Sequence, residues 1–470
     1  MLAEYCPPIK SLFRLVVPEE KLNESFQLVR TAVNSEPTRR MLDDIYQEFQ
    51  DLDGNFVEQF QTTGFDNRVL ELYLFAYFSR SGFEIHRDHA YPDFIVTRNG
   101  LTVAVEATTV NPPRNGVVKE LGRSLQEISE EDAEDFFRNE MPIRFGSPLY
   151  SKLRKKYWEL EHCKNKPLVI VIEAFHENDA HWISDGSLIN YLYGSRDIAS
   201  WGTDGSLNIV RKPVDKHQLG EKEIPSNFFR QPDAENISAV VFTNSATSGK
   251  FSRMGYQHGY ANDAILMSRA GFWFNPEPFA RDPTFLSYEL ARPPFVEPWG
   301  QGLVVFHNPD CKHPVPRNFF PNAVQGYIDE SSRFIAEHAD WHPISSKTLS
   351  LYVGPELATM RGMPGMQSNV AVGAISKQDF TKSCPFRLED SNPIGEEQGW
   401  YADETGSFVG AVFLDKSDQD WGFVVLGRDQ YFDFRCIEVE SSIATRDQAR
   451  IELQFTIAKL LSSPQRIFPQ

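Results

Sequence analysis

The stretch that decides the fold reads YPDFIVTRNGLTVAVEAT and covers residues 91–108. Two runs rich in β-branched residues flank an Asn-Gly dipeptide at 99–100, which favours a two-residue hairpin turn because both turn positions need φ > 0. A two-residue turn at that place makes Arg98 face Leu101, so the residue numbers of every facing pair add up to 199. Asp93 and Glu106 satisfy this condition. The sequence therefore predicts that these two carboxylates lie opposite each other on one face, with Cβ atoms about 5 Å apart.

The opposite face of the same hairpin is apolar. Phe94 would face Val105 and Val96 would face Val103, and a slip of one residue would mix the two faces. Two like charges directly opposite each other repel, so the acidic face gains no stability from this placement. A bound cation would turn the repulsion into a binding site. The alternative is a solvated hairpin edge that carries two incidental acids.

A predicted helix over residues 66–81 precedes the hairpin. It is apolar almost all round, which is typical of a buried helix, and Glu71 is the only acid within its apolar run. A buried carboxylate must find a partner or become neutral. Glu71 could pair with Arg68 or Arg80 on its own helix, or it could point towards the same cation as the hairpin acids. The sequence leaves these alternatives open.

This order of elements resembles the PD-(D/E)xK nuclease superfamily over residues 60–175. The resemblance depends on a helix with an inward Glu, a strand, Pro-Asp-Phe on a second strand and Val-Glu-Ala-Thr on a third. It implies an α/β fold with a restriction-endonuclease-like mixed sheet flanked by helices. It also implies that Asp93 and Glu106 bind Mg²⁺ or Mn²⁺, with help from Glu71. Both ions prefer hard oxygen ligands such as carboxylates.

The chain departs from the superfamily pattern at Thr108, where the motif places a Lys two residues after the Glu. A neutral hydroxyl cannot stabilise charge that develops on a phosphate. Some members of the superfamily recruit the Lys from the following helix, which is predicted here to start at Ser147. At 100° per residue Lys156 lies nearest the apolar stripe of that helix, Lys152 flanks it and Lys155 faces away. A solvated basic face is the alternative.

The resemblance implies a metal-dependent nuclease that hydrolyses a phosphodiester bond, with DNA favoured over RNA by the superfamily alone. Glu71, Asp93 and Glu106 would be its acids, and Lys156 or Lys152 its cation. A second hypothesis is a catalytically degenerate member that binds nucleic acid or a protein partner. A carboxylate-metal hydrolase of small phosphoesters is a third. A role in a defence system follows only by analogy.

Charge and composition limit these hypotheses. The net charge of −18 over 470 residues argues against broad, sequence-blind coating of nucleic acid, which needs a basic surface. The five cysteines show no CxxC spacing, which favours reduced thiols in the cytoplasm and argues against a zinc site. No apolar run reaches the length of a membrane span, so no membrane partner is expected.

Weaker nucleic-acid contacts are predicted at four positions. Thr108 and Lys155 lie beside the predicted site. Lys250 and Arg253 follow a predicted strand at 237–243, within or beside a loop that lacks the pattern of a phosphate-binding P-loop. This loop could touch nucleic acid through its basic residues or could be an ordinary surface loop.

The sequence divides into three predicted regions: an N-terminal helical segment over 1–60, a nuclease-like domain over 61–345 with elaborations after residue 175, and a C-terminal α+β module over 346–470. We interpret the last as a recognition module for a protein partner or a second copy of the chain. Its predicted elements are strands at 407–414, 421–427 and 432–439 and a helix at 445–461.

Overall fold

The structure, a computed structural model, is a mixed α/β fold in which a large mixed sheet is flanked by helices. It describes residues 10–52, 54–110, 136–174, 185–201, 207–261, 265–275, 283–290, 297–338, 342–352, 372–375, 395–403, 408–415, 421–428, 434–443, 446, 449–450, 453–454 and 456–457.

The helices are α1 (Glu24–Thr31), α2 (Glu36–Glu48), α3 (Phe56–Gln61), α4 (Phe65–Arg80), α5 (Met141–Leu153), α6 (Gly186–Tyr193) and α7 (Ser248–Gln257). The strands are β1 (Glu84–His86), β2 (Phe94–Arg98), β3 (Leu101–Val110), β4 (Leu168–Ala174), β5 (Ser195–Trp201), β6 (Leu207–Pro213), β7 (Lys216–Leu219), β8 (Lys222–Pro225), β9 (Ala239–Thr243), β10 (Ile265–Trp273), β11 (Thr284–Glu289), β12 (Leu303–His307), β13 (Val324–Ile328), β14 (Phe334–Glu337), β15 (Pro343–Tyr352), β16 (Val372–Ile375), β17 (Gly395–Asp403), β18 (Phe408–Asp415), β19 (Trp421–Arg428) and β20 (Phe434–Ile443).

The central sheet has eight strands in the order β1-β2-β3-β4-β9-β12-β13-β14. Strands β1 to β3 are antiparallel, and β3, β4 and β9 run parallel to one another. Every residue of β4 is buried, as its continuous apolar sequence predicts for a strand that is covered on both faces. The chain therefore passes through α4, three antiparallel strands, α5 and a parallel strand in the predicted order.

The predicted hairpin register is confirmed. Phe94 faces Val105 and Val96 faces Val103 across β2 and β3. The turn residues Asn99 and Gly100 have φ of 51° and 78°, the left-handed values that this turn requires. The hairpin is not a solvated edge, because β1 pairs with the outer side of β2 and β4 with the far side of β3.

The two faces of the central sheet are covered by different helices. Val103 and Val105 of β3 pack in one core with α4, whereas Ala104 packs in a second core with α5 and α6. Because side chains alternate along a strand, Glu106 shares the α5 face with Ala104. Residues of α4 thus approach the sheet from the side opposite to Glu106.

Helix α5 differs from its prediction at both ends. It begins at Met141, six residues before the predicted start at Ser147, whose hydroxyl donates instead to the Ile143 carbonyl at 3.2 Å. It ends at Leu153, and Lys156 then adopts a left-handed conformation with φ of 50°. The apolar stripe of the sequence therefore combined a helix with a separate turn.

A helix also replaces most of the loop predicted after residue 243. Lys250 and Arg253 lie on α7, which packs against α2 and the long strand β15. Strand β15 belongs to a second, three-stranded sheet in the order β11-β10-β15.

The C-terminal region contains the three predicted strands as β18, β19 and β20, in a five-stranded antiparallel sheet that also includes β16 and β17. Ala449, Leu453 and Ile457 pack against this sheet, and their spacing of four residues agrees with the predicted helix. The rest of that helix lies largely outside the described residues. Within the described ranges, no helix is both long and apolar enough to cross a membrane.

Candidate active site

The hairpin brings Asp93 and Glu106, hereafter the acid pair, into direct contact. The backbone N–H of Asp93 donates to Oε2 of Glu106 at 3.2 Å. The backbone N–H of Ala107 donates to Oδ2 of Asp93 at 2.7 Å. Glu106 is only 1% exposed, although it is ionisable and lies away from the turn, towards the open end of the hairpin. The two carboxylates therefore share one site, as the register predicts, with Glu106 buried and Asp93 partly buried.

Two donors from the α5 side converge on one oxygen of Glu106. Nζ of Lys152, in the last turn of α5, and the hydroxyl of Tyr157 each lie 2.5 Å from Oε1 of Glu106. Lys152 is one of the two lysines predicted to replace the cation missing at Thr108. Tyr157 was not predicted as a site residue, because a periodicity pattern treats its ring as apolar and carries no information about its hydroxyl.

Ionisation of both members of the acid pair is electrostatically unfavourable. Burial raises the pKa of the Asp93 carboxyl to about 7, and the charges of Glu106 and Glu71 contribute to this rise. The hydrogen bond from Ala107 and the charge of Lys152 act in the opposite direction but do not cancel the shift. A divalent cation at this place would lower the pKa of Asp93 and relieve the repulsion.

Glu71 is held by its own helix. Arg68, one turn earlier on α4, forms an ion pair with it at 2.6 Å, which is one of the two partners that the sequence offered. Arg80, the other, pairs with Glu48 instead. Burial still raises the pKa of Glu71, against the opposing effect of Arg68 and with a contribution from the charge of Glu106. Glu71 is thus electrostatically connected to the acid pair without joining it.

The predicted convergence of three acids on one cation is not seen. In the described part of the chain, no three or more His, Cys, Asp or Glu side chains are arranged as a metal site. Two causes are visible: Glu71 belongs to a helix on the face opposite to Glu106, and Arg68 holds its carboxylate. The acid pair remains as a set of two carboxylates.

Arg87 lies beside these acids and was not predicted. Its guanidinium carbon is 4.0 Å from the ring centre of Phe49 and 5.2 Å from that of Phe94. Its Nε and Nη1 are buried and have no hydrogen-bond partner among the described residues. Burial lowers the pKa of Arg87, and the charges of Glu71 and Asp93 oppose that shift. Arg87 therefore adds positive charge near the acid pair without neutralising either carboxylate directly.

Lys156 does not contact the acid pair. The turn after α5 directs its ammonium group towards Asp233, 3.2 Å away. Of the two candidate lysines, Lys152 is therefore the one in contact with the acid pair.

The two predicted nucleic-acid contacts beside the site differ in exposure. Thr108 lies two residues beyond Glu106 on β3 and is half-buried. Lys155 is exposed, with Nζ 5.8 Å from the ring centre of Tyr157. Of the two, Lys155 is the one that solvent reaches freely.

The prediction that Lys250 and Arg253 contact nucleic acid is wrong. They are 0% and 3% exposed and form ion pairs with Glu297 at 2.5 and 2.7 Å. Arg269 also faces Glu297, at 3.4 Å, and we call these four residues the buried ionic cluster. Burial lowers the pKa of Lys250 to about 7. Helix α7 turns these side chains inward, so neither reaches a ligand at the surface.

A second pair of acids lies near the carboxyl ends of the central strands. Glu173, at the end of β4, is fully buried. Burial raises its pKa well above the usual range, and the charge of Asp66 adds to this shift. Burial also raises the pKa of Asp66 to about 6. Nothing in the sequence separates these acids from ordinary strand-end and helix-start residues.

The resemblance to the nuclease superfamily depends on the short sequence motifs within residues 60–175 and not on a match along the chain. Comparisons with protein-family models, curated proteins and solved structures found no match. The function proposed below therefore depends on the geometry of the acid pair and its neighbours.

Proposed function

We propose that this protein is a metal-dependent phosphodiesterase, with DNA as the favoured substrate and endonucleolytic cleavage as the favoured reaction. The observation that carries the proposal is the acid pair, in which Lys152 contacts the buried Glu106. Asp93 and Glu106 come from a hairpin, and the lysine comes from the helix that follows. A buried like-charge pair with one cation beside it is costly for a scaffold and useful for catalysis.

The order of elements supports a restriction-endonuclease-like fold. Helix α4, strands β1 to β3, helix α5 and strand β4 follow one another as the resemblance implies. The acid pair lies towards the end of the hairpin, and α5 delivers Lys152 from the neighbouring face. This arrangement explains how a lysine from a helix can replace the motif lysine at Thr108.

The acid pair suits Mg²⁺ or Mn²⁺. Mg²⁺ is commonly bound by one or two carboxylates, with water and substrate phosphate completing its shell, so a third acid is not required. Burial, together with the charges of Glu106 and Glu71, raises the pKa of Asp93, and a bound cation would oppose that rise; Asp93 and Glu106 would be the protein's ligands. When bound, such an ion activates a water and neutralises charge on the leaving oxygen.

The other site residues position the acids and stabilise charge. The Ala107 N–H orients the Asp93 carboxylate, and the Tyr157 hydroxyl orients that of Glu106. Lys152 would hold positive charge next to the scissile phosphate, where a neutral Thr108 cannot. The side chain of Lys152 is 18% exposed, so it is accessible from the solvent side of the acid pair.

Cleavage of supercoiled plasmid, single-stranded DNA and RNA with Mg²⁺ or Mn²⁺ tests this proposal. We expect cleavage that needs the metal and is lost in Glu106→Gln and Asp93→Asn. Lys152→Met should reduce the rate about a hundredfold or more, as removal of one transition-state charge contact typically does. Lys156→Met is the matched control, since its partner is Asp233, and it should cleave like the wild type. Equal effects of the two lysine variants would contradict the assignment.

A second candidate function has its own supporting observation. Lys152 and Tyr157 both bond the same oxygen of Glu106, which is the satisfied state of a structural carboxylate. Together with Thr108 this favours a degenerate nuclease fold that binds nucleic acid or a protein partner. Calorimetry with Mn²⁺ separates the candidates: an inert protein that binds no Mn²⁺ is the degenerate form, and binding that is lost in Asp93→Asn supports the metal site.

A further inference from the structure

Tyr91 is an exposed aromatic residue next to the proposed site in the sequence. It precedes Asp93 by two residues, and 59% of its surface is exposed, which is unusual for a large aromatic side chain. Asp93 is partly buried and its partner Glu106 is fully buried, so only one residue separates the exposed ring from a carboxylate that is largely removed from solvent.

Two histidines brace the backbone of this segment. Nε2 of His162 lies 2.7 Å from the carbonyl oxygen of Tyr91. The ring of His162 also stacks on that of His89, with centres 3.8 Å apart and planes inclined by 12°. These contacts tie the segment before Asp93 to the short helical turn before β4. The ring of Tyr91 is therefore exposed on a braced backbone, which lowers the entropy lost when a ligand orders it.

A cation joins Tyr91 to the acid pair. Nζ of Lys155 is 5.8 Å from the ring centres of both Tyr91 and Tyr157. The hydroxyl of Tyr157 in turn contacts Glu106. Three groups thus lie next to one another: an exposed aromatic ring, an exposed ammonium group and the acid pair. They would suit, in that order, a base, its phosphate and the adjacent scissile phosphate.

We infer that Tyr91 and Lys155 bind an unpaired nucleotide next to the scissile bond, so that the substrate is single-stranded nucleic acid at this position. The inference rests on the proposed function and names its substrate class. Exposed aromatic rings stack on bases in single-strand binding proteins, while lysines neutralise the backbone. A base within a duplex offers no free face to such a ring. The net charge of −18 disfavours broad coating of nucleic acid and agrees with contacts that are confined to a small site.

Fluorescence anisotropy of the full chain, in EDTA to prevent cleavage, tests the inference. The probes are labelled oligo-dT, a duplex of equal length and a single strand with abasic sites. We expect oligo-dT to bind about tenfold or more tightly than either other probe. Tyr91→Ala should remove that preference, and Tyr91→Phe should keep it. Tyr150→Ala is the matched control, because Tyr150 is 49% exposed on α5 and has the same chemistry.

Lys155→Ala gives a second, independent measurement. It should weaken binding of all probes and reduce the slope of log affinity against log salt by about one unit. Equal affinity for oligo-dT and abasic strands, or a Tyr91→Ala variant that binds like the wild type, would overturn the inference. Thermal melts of each variant show whether a lost signal comes from unfolding, and Tyr91→Phe then decides between the two explanations.

The cleavage assay distinguishes this failure from failure of the proposed function. If metal-dependent cleavage requires Glu106 but Tyr91→Ala cleaves every substrate normally, the nuclease assignment holds and the single-strand inference fails. If no substrate is cleaved but oligo-dT binding depends on Tyr91, the binding site holds, and calorimetry with Mn²⁺ then decides whether the protein is the degenerate form.

Discussion

Replacing Asp93 with asparagine should make the protein more stable above neutral pH while it removes cleavage. The pKa of Asp93 rises from its ordinary value of 3.8 to about 7 in the folded protein. A raised pKa means that the folded state holds this proton more tightly than the unfolded chain. The stability that Asp93 contributes is therefore full below pH 3.8 and is lost as the pH rises to about 7 and beyond.

The magnitude follows from the size of the pKa shift. One pKa unit corresponds to about 1.4 kcal/mol, so ionised Asp93 costs the folded protein at most about 4 kcal/mol at pH 8. The asparagine side chain would lose the charge-assisted part of the hydrogen bond from Ala107, about 1 kcal/mol. The neighbouring acids also share the repulsion that one substitution removes. We therefore expect Asp93→Asn to gain about 2 kcal/mol in the free energy of unfolding.

Urea unfolding at pH 8 and pH 5 measures this gain. More than half of the gain at pH 8 should disappear at pH 5, where the folded wild type keeps Asp93 protonated. Asp88→Asn, an exposed acid of the same segment, is the control and should leave stability unchanged at both values. Adding Mn²⁺ at pH 8 should stabilise the wild type and not Asp93→Asn.

Two results would refute the reasoning. If Asp93→Asn is less stable than the wild type at pH 8, then Asp93 is a compensated structural acid and not a strained ligand. If the gain is the same at pH 5 and pH 8, then it does not come from ionisation. In either case the acid pair would have no electrostatic need for a bound cation.

Three further predictions concern buried charges. Glu297→Gln should destabilise the protein by about 3–5 kcal/mol in urea unfolding, because the buried ionic cluster keeps only its cations; Glu337→Gln, in an exposed ion pair, should cost less than about 1 kcal/mol. Tyr157→Phe should cost about 1–2 kcal/mol in the same assay, since the acid pair loses a buried donor, and a neutral effect would show that another donor takes its place. Arg68→Met removes the partner of Glu71, whose pKa burial already raises, so the loss of stability should be larger at pH 8 than at pH 4; a loss independent of pH would assign Arg68 a packing role instead.

The sequence determined what depends on neighbouring residues. The Asn-Gly turn and the period of two set the register that places Asp93 opposite Glu106, because both signals are local and a slip would expose apolar side chains. A continuous apolar run likewise located α4 to within one residue at each end. Half of the candidate site, the acid pair itself, could be predicted from one hairpin.

The tertiary structure decided which distant side chains meet this hairpin. Periodicity extended α5 past Leu153, but the chain turns there, so Lys152 reaches Glu106 and Lys156 does not. The burial of Lys250 could not be predicted either, because a lysine is expected at the surface unless a partner such as Glu297 pairs with it in the folded protein. The Lys152–Glu106 and Lys250–Glu297 contacts join residues that are 46 and 47 positions apart in the chain. Such contacts depend on how distant elements pack together, and no local sequence pattern encodes that packing.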